Sequence, residues 1–105
     1  MLRLEKEKDK LTAYLSGELD HHAARLIREE IDDGLERTLP KLLVFDFSGV
    51  TFMDSSGIGL IMGRYKLIKS MDGEIEVRGA RKQIQRVMQL SGLSQLVRIV
   101  EEDKE

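Results

Sequence analysis

Three side chains able to cap a helix or carry a phosphoryl group stand in a row: Asp54, Ser55 and Ser56. One helix start uses one capping side chain, so at least one of the three is available for another role. A serine at a helix amino terminus faces unpaired N–H groups and the positive end of the helix dipole, which stabilise a phosphate. Phosphorylation of such a serine would add about −1.5 to −2 charges there. The competing interpretation is a helix cap with polar flanking residues and no further role.

Glycines follow this motif at positions where a helix is predicted. Gly57, Gly59 and Gly63 each destabilise a helix by up to about 1 kcal/mol relative to alanine. Two explanations remain open from the sequence. The glycines either permit close packing on a sheet or let the backbone of another molecule approach.

Other chemistry at these residues is disfavoured. The adjacent His21 and His22 diverge by about 100° on a helix, and with no further histidine and no cysteine the sequence predicts no metal site. Ser55 lacks a Gly-x-Ser-x-Gly elbow, which disfavours a hydrolase. The glycine spacing fits neither a dinucleotide fingerprint nor a P-loop, so we expect no bound cofactor. A receiver-like domain phosphorylated on Asp54 remains an alternative, although the chain lacks an acidic pair after the first strand.

Hydrophobic periodicity predicts the elements that position the motif. Two short strands are predicted on either side of Lys8-Asp9-Lys10, and a central strand, buried on both faces, at Lys41 to Ser48. A turn is predicted from Val50 into the second helix. The later predictions are a strand at Glu74 to Arg78, a third helix at Ala80 to Leu90 and a strand at Leu96 to Val100.

Two amphipathic helices are predicted before and after the central strand. The first runs from Asp20, its cap, to Thr38, and its apolar face consists of Leu26, Ile27, Ile31 and Leu35. The second runs from Ser55 to Ser70, and its apolar stripe consists of Ile58, Ile61, Met62, Tyr65 and Ile68. Near the end of the second helix, Arg64, Lys66 and Lys69 are predicted to complement the helix dipole.

The element order β-β-α-β-α-β-α-β predicts an α/β fold. We expect a mostly parallel sheet of four to five strands with an antiparallel first strand, and three to four helices. A chain of 105 residues fits one domain, 1–105, with a frayed charged tail from about 101. Sites in such folds collect where strands end and helices begin, so the Asp54 turn is the first candidate.

Composition limits the partners. With 17 basic and 19 acidic residues the formal charge is −2, and no basic block suggests nucleic acid. No apolar stretch reaches the length of about 18 residues that suggests a membrane span. We expect a soluble, cytoplasmic protein, monomeric when free.

Two sequence blocks resemble the anti-sigma factor antagonists of spore-forming bacteria, which are members of the STAS domain family. The first is Gly17-Glu18-Leu19-Asp20-His21-His22, and the second runs from Phe52 to Gly59 and continues in Gly63-Arg64-Tyr65-Lys66. The resemblance implies partner switching. The unphosphorylated antagonist binds an anti-sigma factor, which is also a serine kinase with ATP or ADP bound, and frees the sigma factor. Phosphorylation ends this binding, and a serine phosphatase restores it.

The same resemblance implies roles for individual residues. Ser55 becomes the phosphoryl acceptor, and the Gly17-to-His21 loop lies beside it and meets the kinase. The protein is then a substrate and a binding module, not an enzyme, in sporulation or alternatively in a stress response. Residue physics alone makes Asp20 a helix cap and Glu18 a solvated charge. The predicted partner-binding residues are Glu18, Asp20, His21, Asp54, Ser56, Gly57, Ile58 and Gly59.

Overall fold

The computed structural model describes residues 1–100, and the elements follow the predicted order. They are β1 (Leu2–Glu7), β2 (Lys10–Leu19), α1 (His21–Thr38), β3 (Leu42–Met53), α2 (Ser55–Ser70), β4 (Glu74–Arg78), α3 (Lys82–Leu90) and β5 (Arg98–Val100), with a 3₁₀ turn at Leu93–Gln95. The predicted tail from Glu101 lies outside the described residues. No helix within residues 1–100 is long and apolar enough to cross a membrane.

The five strands form one sheet in the order β1-β2-β3-β4-β5. β1 pairs antiparallel with β2, and the remaining pairs are parallel. Crossovers between parallel strands are right-handed, so this sequential order places α1, α2 and α3 on the same face. The predicted α/β class and the antiparallel first strand are confirmed, with β3 at the centre.

The core lies between this face and the helices. Leu43 and Phe45 of β3 point into it and are fully buried. Val44, on the opposite face, is 1% exposed and lies beside its register partner Thr12, outside the core cluster. The predicted burial of β3 on both faces therefore holds only in part, because Leu42 and Asp46, on the same face as Val44, are half-buried and helices cover only the other face.

Both strands that lead to the motif are longer than predicted. β2 and β3 remain paired to Leu19 and Met53, through two register shifts. The predicted turn from Val50 is therefore strand as far as Met53, and the predicted Gly17-to-His21 loop is the end of β2 and the start of α1. Pairing between β2 and β3 extends both strands. The hydrophobic pattern of either segment alone does not show where this pairing ends.

Helix packing differs from the predicted faces at three positions. Leu26, predicted to be in the core, is 49% exposed, whereas Leu60 is buried. Arg64, which was predicted to complement the helix dipole near the end of α2, is only 7% exposed. The cause is that α1 and α2 pack against each other as well as on the sheet, which rotates the buried stripe of each helix.

The last two elements are shorter than predicted. Helix α3 begins at Lys82 instead of Ala80, and β5 begins at Arg98 instead of Leu96. Between them, Gly92 adopts φ +84° and the chain turns once in a 3₁₀ helix. Leu96 and Val97, which were predicted to start the strand, both donate their N–H groups to the Leu93 carbonyl and so complete this turn.

Candidate functional site

Two aspartates cap neighbouring helices at one edge of the sheet. Leu19 and Met53 are register partners, and the Asp54 N–H donates to the Leu19 carbonyl at 3.3 Å. The next residue of each strand caps a helix, since Asp20 Oδ1 accepts from the Ala23 N–H at 2.9 Å and Asp54 Oδ1 from the Ser56 N–H at 2.8 Å. The two sequence blocks are therefore adjacent in space.

Ser55 is exposed and is the first residue of α2. Asp54 performs the capping, so the Ser55 hydroxyl is not needed for it. Ser56 is half-buried, and its N–H is the donor to the capping carboxylate. The cap interpretation is correct for Asp54, and it leaves the Ser55 side chain accessible for chemistry.

The three glycines of α2 have different surroundings. A Cβ on Gly57 would lie 2.3 Å from Met53 Cγ and 3.1 Å from Leu19 Cδ2, so this glycine permits packing on the sheet. A Cβ on Gly59 or Gly63 would meet nothing within 4 Å. Close packing therefore explains Gly57 alone.

The other residues of the predicted binding face lie at different depths. Ile58 is 9% exposed and belongs to the core, so its side chain supports the start of α2 from inside. Glu18 and His21 are exposed. Phe52, the register partner of Glu18, is 50% exposed. This exposed ring was not among the predicted partner-binding residues.

A groove of about 390 Å³ lies between α1 and α2 and extends from their first turns to Arg28 and Arg64. It is lined by His21, Ala24, Arg25, Arg28, Ser56, Gly59, Leu60, Gly63 and Arg64. No carboxylate is among these lining residues, all within the described chain. Sequence reasoning missed Arg25 and Arg28, although their spacing after His21 places all three on one helix face.

Arg64 forms the far end of this groove. Its Nε lies 2.8 Å from Asp32 Oδ1, and its Nη1 donates to the Leu60 carbonyl at 3.1 Å. Burial lowers the pKa of the Arg64 guanidinium below its ordinary value, and the negative charge of Asp32 opposes this shift. The ion pair connects α2 to α1.

The arrangement of elements and motif can be compared with known proteins. Residues 2–105 match the STAS domain. The chain belongs to the STAS domain family. This STAS domain is 35% identical over 102 residues to the anti-sigma F factor antagonist of Paenibacillus polymyxa, across 97% of this chain and 87% of the relative.

Two further similarities refine the placement within the STAS family. The anti-sigma-B factor antagonist of Listeria monocytogenes is 25% identical over 100 residues, across 90% of this chain and 82% of that protein. The structure of the Bacillus cell fate determinant SpoIIAA in its phosphorylated form superposes with a TM-score of 0.76 and 30% identity, across 97% of this chain and 93% of SpoIIAA. This STAS domain is thus a member of the anti-sigma factor antagonists, and the predicted resemblance is confirmed.

Proposed function

We propose that this STAS domain is an anti-anti-sigma factor that is switched by phosphorylation of Ser55. Its unphosphorylated form binds an anti-sigma factor that is also a serine kinase, and this binding releases the sigma factor. Phosphorylated Ser55 prevents the binding, and a phosphatase reverses the modification. The observation that carries the proposal is the exposed Ser55 hydroxyl beside Asp54, which caps the helix alone.

The electrostatics of the α2 start suit such a switch. A phosphate on Ser55 lies at the positive end of the helix dipole, so the helix tolerates it. Its charge of about −1.5 to −2 is comparable with the formal charge of the whole chain, −2. The surface presented to a partner therefore changes much more than the fold does.

The residues of the proposed binding face divide into three groups. Glu18, His21 and Gly59 are exposed and available to the kinase. The half-buried Asp54 and the buried Gly57 hold the start of α2 on the sheet. Of the remaining members, Asp20 caps α1, Ser56 lines the groove between the helices, and Ile58 packs in the core.

The chemistry of phosphoryl transfer requires little from this chain. Kinases supply the catalytic base and the magnesium-bound nucleotide themselves, and the acceptor supplies a positioned hydroxyl. The chain acts in this proposal as a substrate and a binding module, in the cytoplasm.

Sporulation is the proposed setting. The support is the higher identity to the sigma F relative, 35% against 25% for the sigma B relative. A stress-response antagonist is the second candidate, because the sigma B relative also matches 90% of this chain.

Mass spectrometry tests the proposal directly. The protein is incubated with its anti-sigma factor kinase and Mg–ATP, beside the matched variants Ser55→Ala and Ser56→Ala. We expect one phosphoryl group on Ser55, absent from Ser55→Ala and retained in Ser56→Ala. No incorporation by a kinase that phosphorylates another antagonist would overturn the proposal, and a hydroxylamine-labile phosphate on Asp54 would replace it with receiver-like chemistry.

A further inference from the structure

The groove between α1 and α2 contains two glycines that the fold itself does not require. Gly59 and Gly63 lie one turn apart on the α2 wall. Neither has a positive φ, and a Cβ at either position would meet nothing within 4 Å. Each lowers helix stability by about 1 kcal/mol relative to alanine. Gly57, by contrast, is explained by Met53.

The charged side chains that line the space between the two helices are basic at one end and acidic at the other. His21, Arg25 and Arg28 line the groove on the α1 side, at the end next to the amino termini of both helices. Beyond the Arg64–Asp32 pair, a second cavity of about 230 Å³ is lined by Asp32 and Glu36, with Leu35, Leu39, Leu67, Ser70 and Met71. The first groove is therefore positive in a chain whose formal charge is negative.

Arg64 adds a buried donor to the positive groove. Its side chain is 8% exposed. Within residues 1–100 its polar contacts are made through Nε, to Asp32, and Nη1, to Leu60. No hydrogen bond or ion pair of Nη2 is found within residues 1–100, and a buried guanidinium is stabilised by each acceptor it gains.

We propose that this groove binds an acidic segment of the partner protein. The backbone of the segment passes over Gly59 and Gly63, and its carboxylates pair with Arg25 and Arg28. Arginine suits this role because its planar guanidinium pairs with carboxylates through two hydrogen bonds. The identity of the partner as the anti-sigma factor rests on the function proposed above.

The acidic segment supplies a physical reason for the switch. Ser55 immediately precedes Ser56, which lines the groove. A phosphate on Ser55 places about two negative charges beside this end of the groove. It repels an acidic segment and competes for the same arginines, so phosphorylation weakens binding without a change of fold.

Titration calorimetry with the purified anti-sigma factor tests the inference. Each variant is measured at low and at high salt, and its melting temperature is recorded. For Gly59→Ala and Gly63→Ala we expect at least tenfold weaker binding with an equal or higher melting temperature, because alanine favours the helix. For Arg25→Glu and Arg28→Glu we expect at least tenfold weaker binding, with a difference from the original protein that shrinks in high salt. Arg86→Glu, an exposed charge reversal on α3, is the control and should bind unchanged.

The outcomes separate the inference from the proposed function. If the original protein binds and is phosphorylated on Ser55 while the glycine and arginine variants bind equally well, the groove assignment is wrong and the function stands. If Arg86→Glu weakens binding as much as Arg25→Glu, net charge is responsible and the groove assignment is also wrong. If the original protein does not bind the anti-sigma factor, both fail.

Discussion

The guanidinium of Arg64 pairs with the carboxylate of Asp32 across the space between α2 and α1, with Nε and Oδ1 2.8 Å apart. The pair divides this space into a positive groove near Ser55 and an acidic cavity at the other end. Within residues 1–100, it is also the only ion pair that joins α1 to α2. A single ion pair therefore connects the two helices and separates the positive groove from the acidic cavity.

Removal of the carboxylate should destabilise the fold. Asp32→Ala leaves the Arg64 guanidinium buried without its charged partner, and we expect a loss of about 2 kcal/mol in the free energy of unfolding. Asp33→Ala breaks the exposed pair of Asp33 with Arg37 and should lose less than about 1 kcal/mol. Urea unfolding followed by circular dichroism measures both. Equal losses of stability in the two variants would contradict the idea that the buried ion pair stabilises the fold more than the exposed pair.

Capping by Asp54 can be separated from its charge. Asp54→Ala removes the acceptor of the Ser56 N–H, and we expect a loss of about 1 kcal/mol in stability. Asp54→Asn keeps an oxygen acceptor and should recover most of this loss. Denaturant unfolding of the two variants provides the comparison. If the asparagine variant is as unstable as the alanine variant, charge rather than capping is the main contribution.

A negative charge at Ser55 should change binding and leave the fold intact. Ser55→Asp places a carboxylate on an exposed residue at the positive end of α2, so we expect a melting temperature close to that of the original protein. Binding of the anti-sigma factor should weaken. Ser55→Ala, which accepts no phosphate, should retain binding. If Ser55→Asp unfolds the domain, the serine has a structural role.

Gly57 should respond to substitution differently from the other glycines of α2. A Cβ there overlaps the Met53 side chain, and the strain exceeds the gain in helix propensity. We expect Gly57→Ala to lose about 1 kcal/mol in net stability, whereas Gly59→Ala gains stability. Thermal denaturation of the two proteins tests the contrast. A stabilised Gly57→Ala would show that Met53 moves aside readily.

The buried face of α2 can be tested at Ile58. Ile58→Asp places an unpaired carboxylate in the core, and we expect a loss of about 2 kcal/mol or more in stability. Leu26→Asp makes a similar change at a side chain that is 49% exposed and should have a much smaller effect. Chemical denaturation compares the two. An unchanged unfolding curve for Ile58→Asp would mean that this side chain does not contribute to the core.

Local patterns in the sequence determined much of the fold. The periodicity of α2 and the alternation in β4 identified both elements with the bounds found in the structure, because burial of one face repeats every 3.6 or every two residues. The element order in turn implied the parallel sheet and its antiparallel first strand. The row Asp54-Ser55-Ser56 marked the start of α2, and the resemblance to the anti-sigma factor antagonists made Ser55 the candidate acceptor.

The tertiary structure decided what depends on neighbours distant in sequence. Pairing with β2 carried β3 to Met53, and contact with α1 buried Arg64 while Leu26 remained exposed. Only the tertiary structure shows that Gly57 permits packing on the sheet and that Gly59 lines a groove with Arg25. Periodicity indicates which face of a helix or strand is buried. The groups that contact this face come from other segments of the chain, and the chemistry of the site depends on those groups.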